Sequence, residues 1–299
     1  NAAVGINVPV NYSLRDGSGL AANYSLADET LTATITPKAL SISGSSAANK
    51  IYDGTNSAAV TAGTLGSLVG SETVSVSASG TYASVNVGSG INVMASYSLS
   101  DGSGLASNYT LANETLASDI TARALTISGS SAANKTYDGT NSATITAGTL
   151  ANLVSGETLS VAGSGSFASV NVGGGINIST SYSLSDGTGT ASNYTLAGET
   201  LSADITARAL TISSSSVASK SYDGTNSAAI TAGTLGNLVS GESLNVTASG
   251  SFASVNVGNG INVGASYSLS DGSGAASNYT LAGETLTGNI TARALTISG

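Results

Sequence analysis

The amino-acid sequence predicts an all-β protein made of tandem β-sandwich repeats with an immunoglobulin-like outline, arranged as an elongated rod. Three observations carry this. Apolar residues alternate with a period of two, as strands facing a core on one side require. Asp-Gly, Ser-Gly and Gly-Gly pairs interrupt the alternation every few residues, which is turn chemistry. The string Tyr-Asp-Gly-Thr-Asn-Ser returns at Tyr52, Tyr137 and Tyr222, each 85 residues after the last.

The Asn-Tyr pairs at Asn23, Asn108, Asn193 and Asn278 keep the same interval of 85 residues, so no insertion interrupts the array. Taking Ala-Leu as the start of a copy, the chain divides into a half-copy at 1–38, full copies at 39–123, 124–208 and 209–293, and the start of another at 294–299. The sequence opens inside a copy, so a signal peptide, translocation domain or anchor is expected to lie outside it.

The second copy shows the elements in order. Leu125 and Ile127 begin a strand; runs follow at 143–147, 157–162 and 166–172. Ile176 to Leu184 then keeps its apolar residues on even positions, with Asn177, Ser179, Ser181 and Ser183 facing water, and two last runs lie at 192–197 and 201–207. Seven or eight short strands in a unit of this size fit a sandwich. The alternative is a β-solenoid, whose coils of ~20–30 residues would impose a shorter sub-period that this sequence lacks. Tyr137, Phe167, Tyr182 and Tyr194 each occur once per copy, which predicts that each copy closes its own core. Between copies, residues 119–128 contain neither Gly nor Pro. Ile120 and Leu125, like Ile205 and Leu210, lie five apart, an odd spacing that a single strand cannot keep on one face. The reading is that the chain leaves one core for its neighbour's at Ala122 to Ala124, with Arg123 outside at a short, stiff seam.

Composition narrows the function classes. With 8 Lys plus Arg against 17 Asp plus Glu the net charge is −9, and the cations are spread thinly, so no basic stripe suits nucleic acid or an anionic membrane. No apolar run approaches the ~20 residues that cross a bilayer as a helix, so no membrane insertion is expected. His and Cys are both absent, and neither a Gly-x-Ser-x-Gly elbow nor a phosphate-binding loop is present. The expectation is therefore no enzyme, no catalytic residue, no cofactor and no metal.

Four features attract a functional reading. The loops Asp53, Thr55 and Asn56, then Asp138, Thr140 and Asn141, then Asp223, Thr225 and Asn226 combine carboxylate, hydroxyl and amide beside a tyrosine, as a glycan-contact loop would; the competing reading is a tight hairpin turn with Gly at positive φ. The Asp-Gly-Ser-Gly loop at Asp101, with relatives at Asp16, Asp186 and Asp271, resembles a calcium loop but carries one carboxylate, which reads as a turn. Each full copy has one lysine (Lys50, Lys135, Lys220) together with Glu72, Glu157 or Glu242, the ingredients of an internal Lys-Asn isopeptide bond; a solvated lysine is the expectation. Asn23, Asn108, Asn193 and Asn278 head Asn-X-Ser/Thr sequons, which so hydroxyl-rich a chain also generates by composition.

The Tyr-Asp-Gly-Thr string, the Ala-Leu-Thr-Ile opening and the Ile-Thr-Ala-Arg ending resemble the YDG-type repeats of large bacterial filamentous-haemagglutinin-like adhesins, over essentially the whole chain. The resemblance implies export by two-partner secretion through an outer-membrane partner and a place in a surface fibre for adhesion or biofilm. The expected function is a stalk or spacer of such an adhesin at the bacterial cell surface, with neighbouring copies as its partners. The alternative is an array of weak glycan-binding copies acting on extracellular polysaccharide.

Overall fold

The computed structural model describes residues 1–297, and among them every extended element is a β-strand, joined by four single turns of 3-10 helix with no α-helix. The chain divides into two compact units. The first holds residues 1–124 together with 152–158 and 186–195; the second holds 125–151, 159–185 and 196 onward. The start of a further copy at 294–299 falls partly outside the described residues.

In the first unit, the half-copy contributes two antiparallel strands, Ala3–Val10 and Glu29–Ile35. The first full copy builds a five-stranded sheet in the order Lys50–Ile51, Glu114–Thr121, Gly88–Asp101, Val74–Tyr82, Ser57–Ala58. Its two long strands pair from Val93 opposite Tyr82 to Asp101 opposite Val74. In Val74–Tyr82 alternate residues are turned inward, which is the period-two pattern of the sequence realised. Packing across the sheet is close: a Cβ on Gly80 would lie 2.5 Å from Val60 Cγ2, so a larger residue there would displace the strand opposite. A bulge between Gly88 and Ile91 puts Gly90 at φ +62°, and the Gly90 N–H donates to Asp119 Oδ1 at 2.8 Å. A three-stranded sheet (Tyr109–Leu111, Lys38–Ser43, Thr64–Gly66) and a two-stranded one (Ser46–Ala47, Val60–Thr61) complete the copy. The strands pair within a copy's own sheets rather than coil upon coil, as the sandwich reading expects and a solenoid would not.

The strands depart from the sequence reading in several places: run 143–147 splits into Ser142–Ala143 and Ile145–Thr146, in different sheets, and run 192–197 opens in a 3-10 turn before Tyr194–Leu196. Runs 157–162 and 166–172 are one strand, Leu159–Phe167, ending at the Phe. The hairpin reading of the Tyr-Asp-Gly-Thr string is also corrected. Lys50–Ile51 and Ser57–Ala58, the strands on either side of it, lie at opposite edges of the five-stranded sheet, so the string crosses the mouth between the edges instead of turning a hairpin.

The second unit corrects the expectation that each copy closes its own core. One buried cluster joins Tyr137, Phe167, Ile178, Ala203 and Ile205 of the second copy to Leu210 and Tyr279 of the third, while Phe252, Val263 and Ile290 of the third form a separate cluster. The five-stranded sheet of the second copy therefore shares its core with the three-stranded sheet of the third, Thr234–Gly236, Arg208–Ser213 and Tyr279–Leu281. Ile205 and Leu210, of opposite parity, both enter that one cluster. The parity flip thus moves the chain from one sheet to the sheet facing it while it stays over the same core, with Ala207 alone between the two strands.

Candidate functional site

The most elaborate polar constellation lies where the Tyr-Asp-Gly string of one copy meets the next. In the first unit Tyr52 follows Lys50–Ile51, and its backbone N–H is held by Thr121 O at 2.9 Å. Its hydroxyl donates to Glu157 Oε1 at 2.6 Å, and the Tyr194 hydroxyl donates to the other oxygen, Oε2, also at 2.6 Å. The Tyr194 oxygen in turn accepts the Val154 N–H at 3.1 Å. The two rings stand edge to face, 5.4 Å between centroids and 79° apart. Beside them Asn193 accepts the Val87 N–H through Oδ1 and donates through Nδ2 to Asn86 Oδ1, both at 2.9 Å.

The second unit repeats this with Tyr137, Tyr279 and Glu242. Both hydroxyls lie 2.6 Å from the carboxylate, the rings are 5.3 Å apart, and Asn278 takes the Val172 N–H at 2.9 Å. Two glycines make room. At Gly54, φ +76°, a Cβ would come within 3.0 Å of Val154 Cγ1, and at Gly189 one would come within 2.3 Å of Glu157 Oε2. Burial comes first and the carboxylate bond second in pushing the phenols of Tyr52 and Tyr137 up to about 12, and the same two causes raise Tyr194 and Tyr279. Both tyrosines of each joint are thus neutral donors to a carboxylate at neutral pH.

Among the described residues no glutamate meets Tyr222, which is 40% exposed, against 4% for Tyr52 and Tyr137. Val257 is 55% exposed, whereas its counterparts Val87 and Val172 are half-buried. Tyr-Asp-Gly is thus a receptor for the next copy.

Three stretches, 36–116, 121–202 and 206–287, match the YDG domain. The chain belongs to the YDG domain family. No curated protein matches it at a significant level. Among solved structures, the EC1-3 segment of Drosophila N-cadherin is similar at 8% identity and a TM-score of 0.19, over 68% of this chain and 77% of that one, a likeness too low to carry an argument.

Within the YDG copies the other candidate residues have these places. Asp53 Oδ1 accepts the Thr55 N–H and hydroxyl, both at 2.9 Å, and the Lys50 ammonium at 2.7 Å; Asp138 and Asp223 do the same with Thr140, Lys135, Thr225 and Lys220. The Lys220 and Thr225 bonds hold the Asp223 carboxyl down at about 2. Asn56, Asn141 and Asn226 use their backbone carbonyls, which accept the N–H of Tyr82, Phe167 and Phe252 at 2.7 Å. The lysines sit on carboxylate and threonine oxygens, with Ser142 O and Ser227 O added for Lys135 and Lys220, and among the described residues no asparagine is a partner. Asp101, Asp186 and Asp271 each accept the N–H of the residue opening a 3-10 turn at 2.7 Å, as the turn reading expected. The sequon reading fails at Asn193 and Asn278, which are 1% exposed and bonded through both side-chain atoms.

Arg123 is also corrected. It is half-buried, not held outside: Nε donates to Asn152 O and Nη2 to Asn152 Oδ1, both at 2.7 Å, and Asn152 Nδ2 returns a bond to Ala124 O. Arg208 and Asn237 repeat the bracket in the second unit. Sequence reasoning singled out Glu157 and Asn193 for other chemistries and missed that both belong to the joint. A partner 105 residues away leaves no local pattern to read.

Proposed function

We propose that this chain is a stalk or spacer segment of a large secreted bacterial surface adhesin of the filamentous-haemagglutinin-like, two-partner kind, projecting a distal adhesive region for adhesion or biofilm formation. In this reading its partners are its own neighbouring copies and an outer-membrane secretion protein, and it has no catalytic role. One observation supports it above the rest: the family's signature string is turned toward the next copy, where its tyrosine is buried against that copy's glutamate. A glycan-binding loop would be expected to keep its aromatic ring open to ligand. Joints tied by a half-buried, hydrogen-bonded carboxylate, with a core shared between the second and third copies, resist bending better than a Gly/Ser linker, which is what reach demands of a spacer. Small-angle scattering of residues 1–299 tests the reading: an extended particle whose length grows in proportion to copy number supports it, and a compact globule overturns it. Surface labelling of the parent bacterium before and after protease shaving tests the location.

A further inference from the structure

We propose that the paired tyrosines of the joints, Tyr52 with Tyr194 and Tyr137 with Tyr279, are sites of oxidative cross-linking, at which a one-electron oxidant such as a haem peroxidase with hydrogen peroxide couples two rings ortho to ortho and ties each copy covalently to the next. The inference goes beyond the stalk reading and stands or falls separately from it. Its basis is the convergence of two phenols on one carboxylate. Tyr52 and Tyr194 donate to Oε1 and Oε2 of Glu157, and Tyr137 and Tyr279 to those of Glu242, all at 2.6 Å, so the ring edges that carry the hydroxyls are drawn together. The centroids lie 5.4 and 5.3 Å apart. Coupling also suits a chain without cysteine, which has no disulfide with which to staple its copies.

The chemistry balances. Each phenol loses one electron to the oxidant and its hydroxyl proton along the existing hydrogen bond toward the carboxylate, leaving two phenoxyl radicals. Part of the unpaired spin lies on the ortho carbons. A carbon–carbon bond forms between one ortho carbon of each ring, and the hydrogen on each of those carbons moves to its own phenol oxygen, restoring two hydroxyls. Two hydrogens leave per bond, and one hydrogen peroxide is reduced to two waters. In the product, a 2,2′-biphenol, both hydroxyls flank the new bond and still face the carboxylate. Because these tyrosines are 4–5% exposed, their radicals are shielded from other molecules and meet each other first.

The molecule contains its own controls. Tyr109 donates to Glu72 in the same way, but among the described residues no second tyrosine ring stands beside it. Tyr12, Tyr24 and Tyr222 are exposed by 42, 69 and 40% and are the residues an unselective oxidant would join between molecules. The test treats the 299-residue chain with a haem peroxidase and hydrogen peroxide and, in parallel, with a photogenerated one-electron oxidant, then maps peptides of the monomer fraction by mass spectrometry. Expected are linked peptides joining Tyr52 to Tyr194 and Tyr137 to Tyr279, each two hydrogens lighter than its parts, with dityrosine fluorescence in the monomer. Combined Tyr52→Phe and Tyr137→Phe substitution should bring that fluorescence to background, and Tyr222→Phe should leave it unchanged. Dityrosine confined to dimers, links through Tyr12, Tyr24 or Tyr222 alone, or unmodified joint tyrosines under both oxidants would overturn the proposal. The map of the unsubstituted chain decides this even if the double variant does not fold.

Discussion

At the scale of single residues, the copies differ in ways that keep hydrogen bonding complete. The first copy has Tyr82, whose hydroxyl donates to Ala48 O at 2.8 Å beside the buried Ser118; the later copies have Phe167 with Ala203, and Phe252 with Gly288, so both hydroxyls are lost together. Likewise Arg123 with Asn152 and Arg208 with Asn237 stand where Lys38 at the end of the half-copy faces the position of Ser67 in the first copy. A buried donor without its acceptor is costly, so such pairs change jointly. The same principle sets the worth of the joint tyrosines. Tyr137→Phe removes a bond to a charged acceptor and should cost about 1.5–3 kcal/mol in urea unfolding, whereas Tyr222→Phe, with no glutamate to lose, should be near neutral. Alkali gives an independent readout. The Tyr52 and Tyr137 phenols titrate at about 12 in the folded chain against 10.0 for the free side chain. Their contribution is therefore complete below pH 10 and lost as pH rises through 12. Stability should fall across that window, and less steeply in the combined Tyr52→Phe and Tyr137→Phe variant; equal slopes would show that these phenols are not coupled to folding.

At the scale of elements, the decisive event is the switch of sheets around Ala207. A strand cannot turn its inward face without a break in parity, and the odd spacing from Ile205 to Leu210 supplies it. The bracket of Arg208 and Asn237, the latter at φ +69°, then holds the start of the new strand. Arg208→Ala should weaken the joint between the second and third copies, lowering the unfolding midpoint while far-UV circular dichroism stays that of the parent. The crossing string offers a sharper test. Gly139 and Gly224 have nearly the same φ, +77° and +78°, but a Cβ on Gly139 would sit 3.1 Å from Val239 Cγ1 and one on Gly224 would meet nothing within 4 Å. Both Gly→Ala changes carry the left-handed strain of about 1–2 kcal/mol. The excess loss in Gly139→Ala measures docking, and an excess of zero would mean that the next copy does not seat on this loop.

At the scale of the whole chain, the core shared by the second and third copies makes them energetically dependent, as in other repeat arrays where the interface term adds to each copy's intrinsic stability. Inserting several Gly-Ser residues after Arg123 or Arg208 should shorten the average end-to-end distance measured between spin labels while strand content is retained. If the native joints proved as flexible as the extended ones, the stalk reading would lose its mechanism.

The sequence by itself determined the strand content, the 85-residue repeat and the sheet faces, because alternation and turn chemistry are local and recur without interruption. It also showed the break in parity at Ile205 and Leu210. What the break was for, tertiary structure decided: the two residues share one cluster because a facing sheet from the next copy lies over it. Local pattern could not show that the Tyr-Asp-Gly string spans two sheet edges, or that Glu157 and Asn193 are its complement. Those contacts join residues more than 100 positions apart and depend on how two sheets close over a common core. A tyrosine, a glutamate and an asparagine each have many ordinary uses alone, and their joint use exists only once the chain has folded.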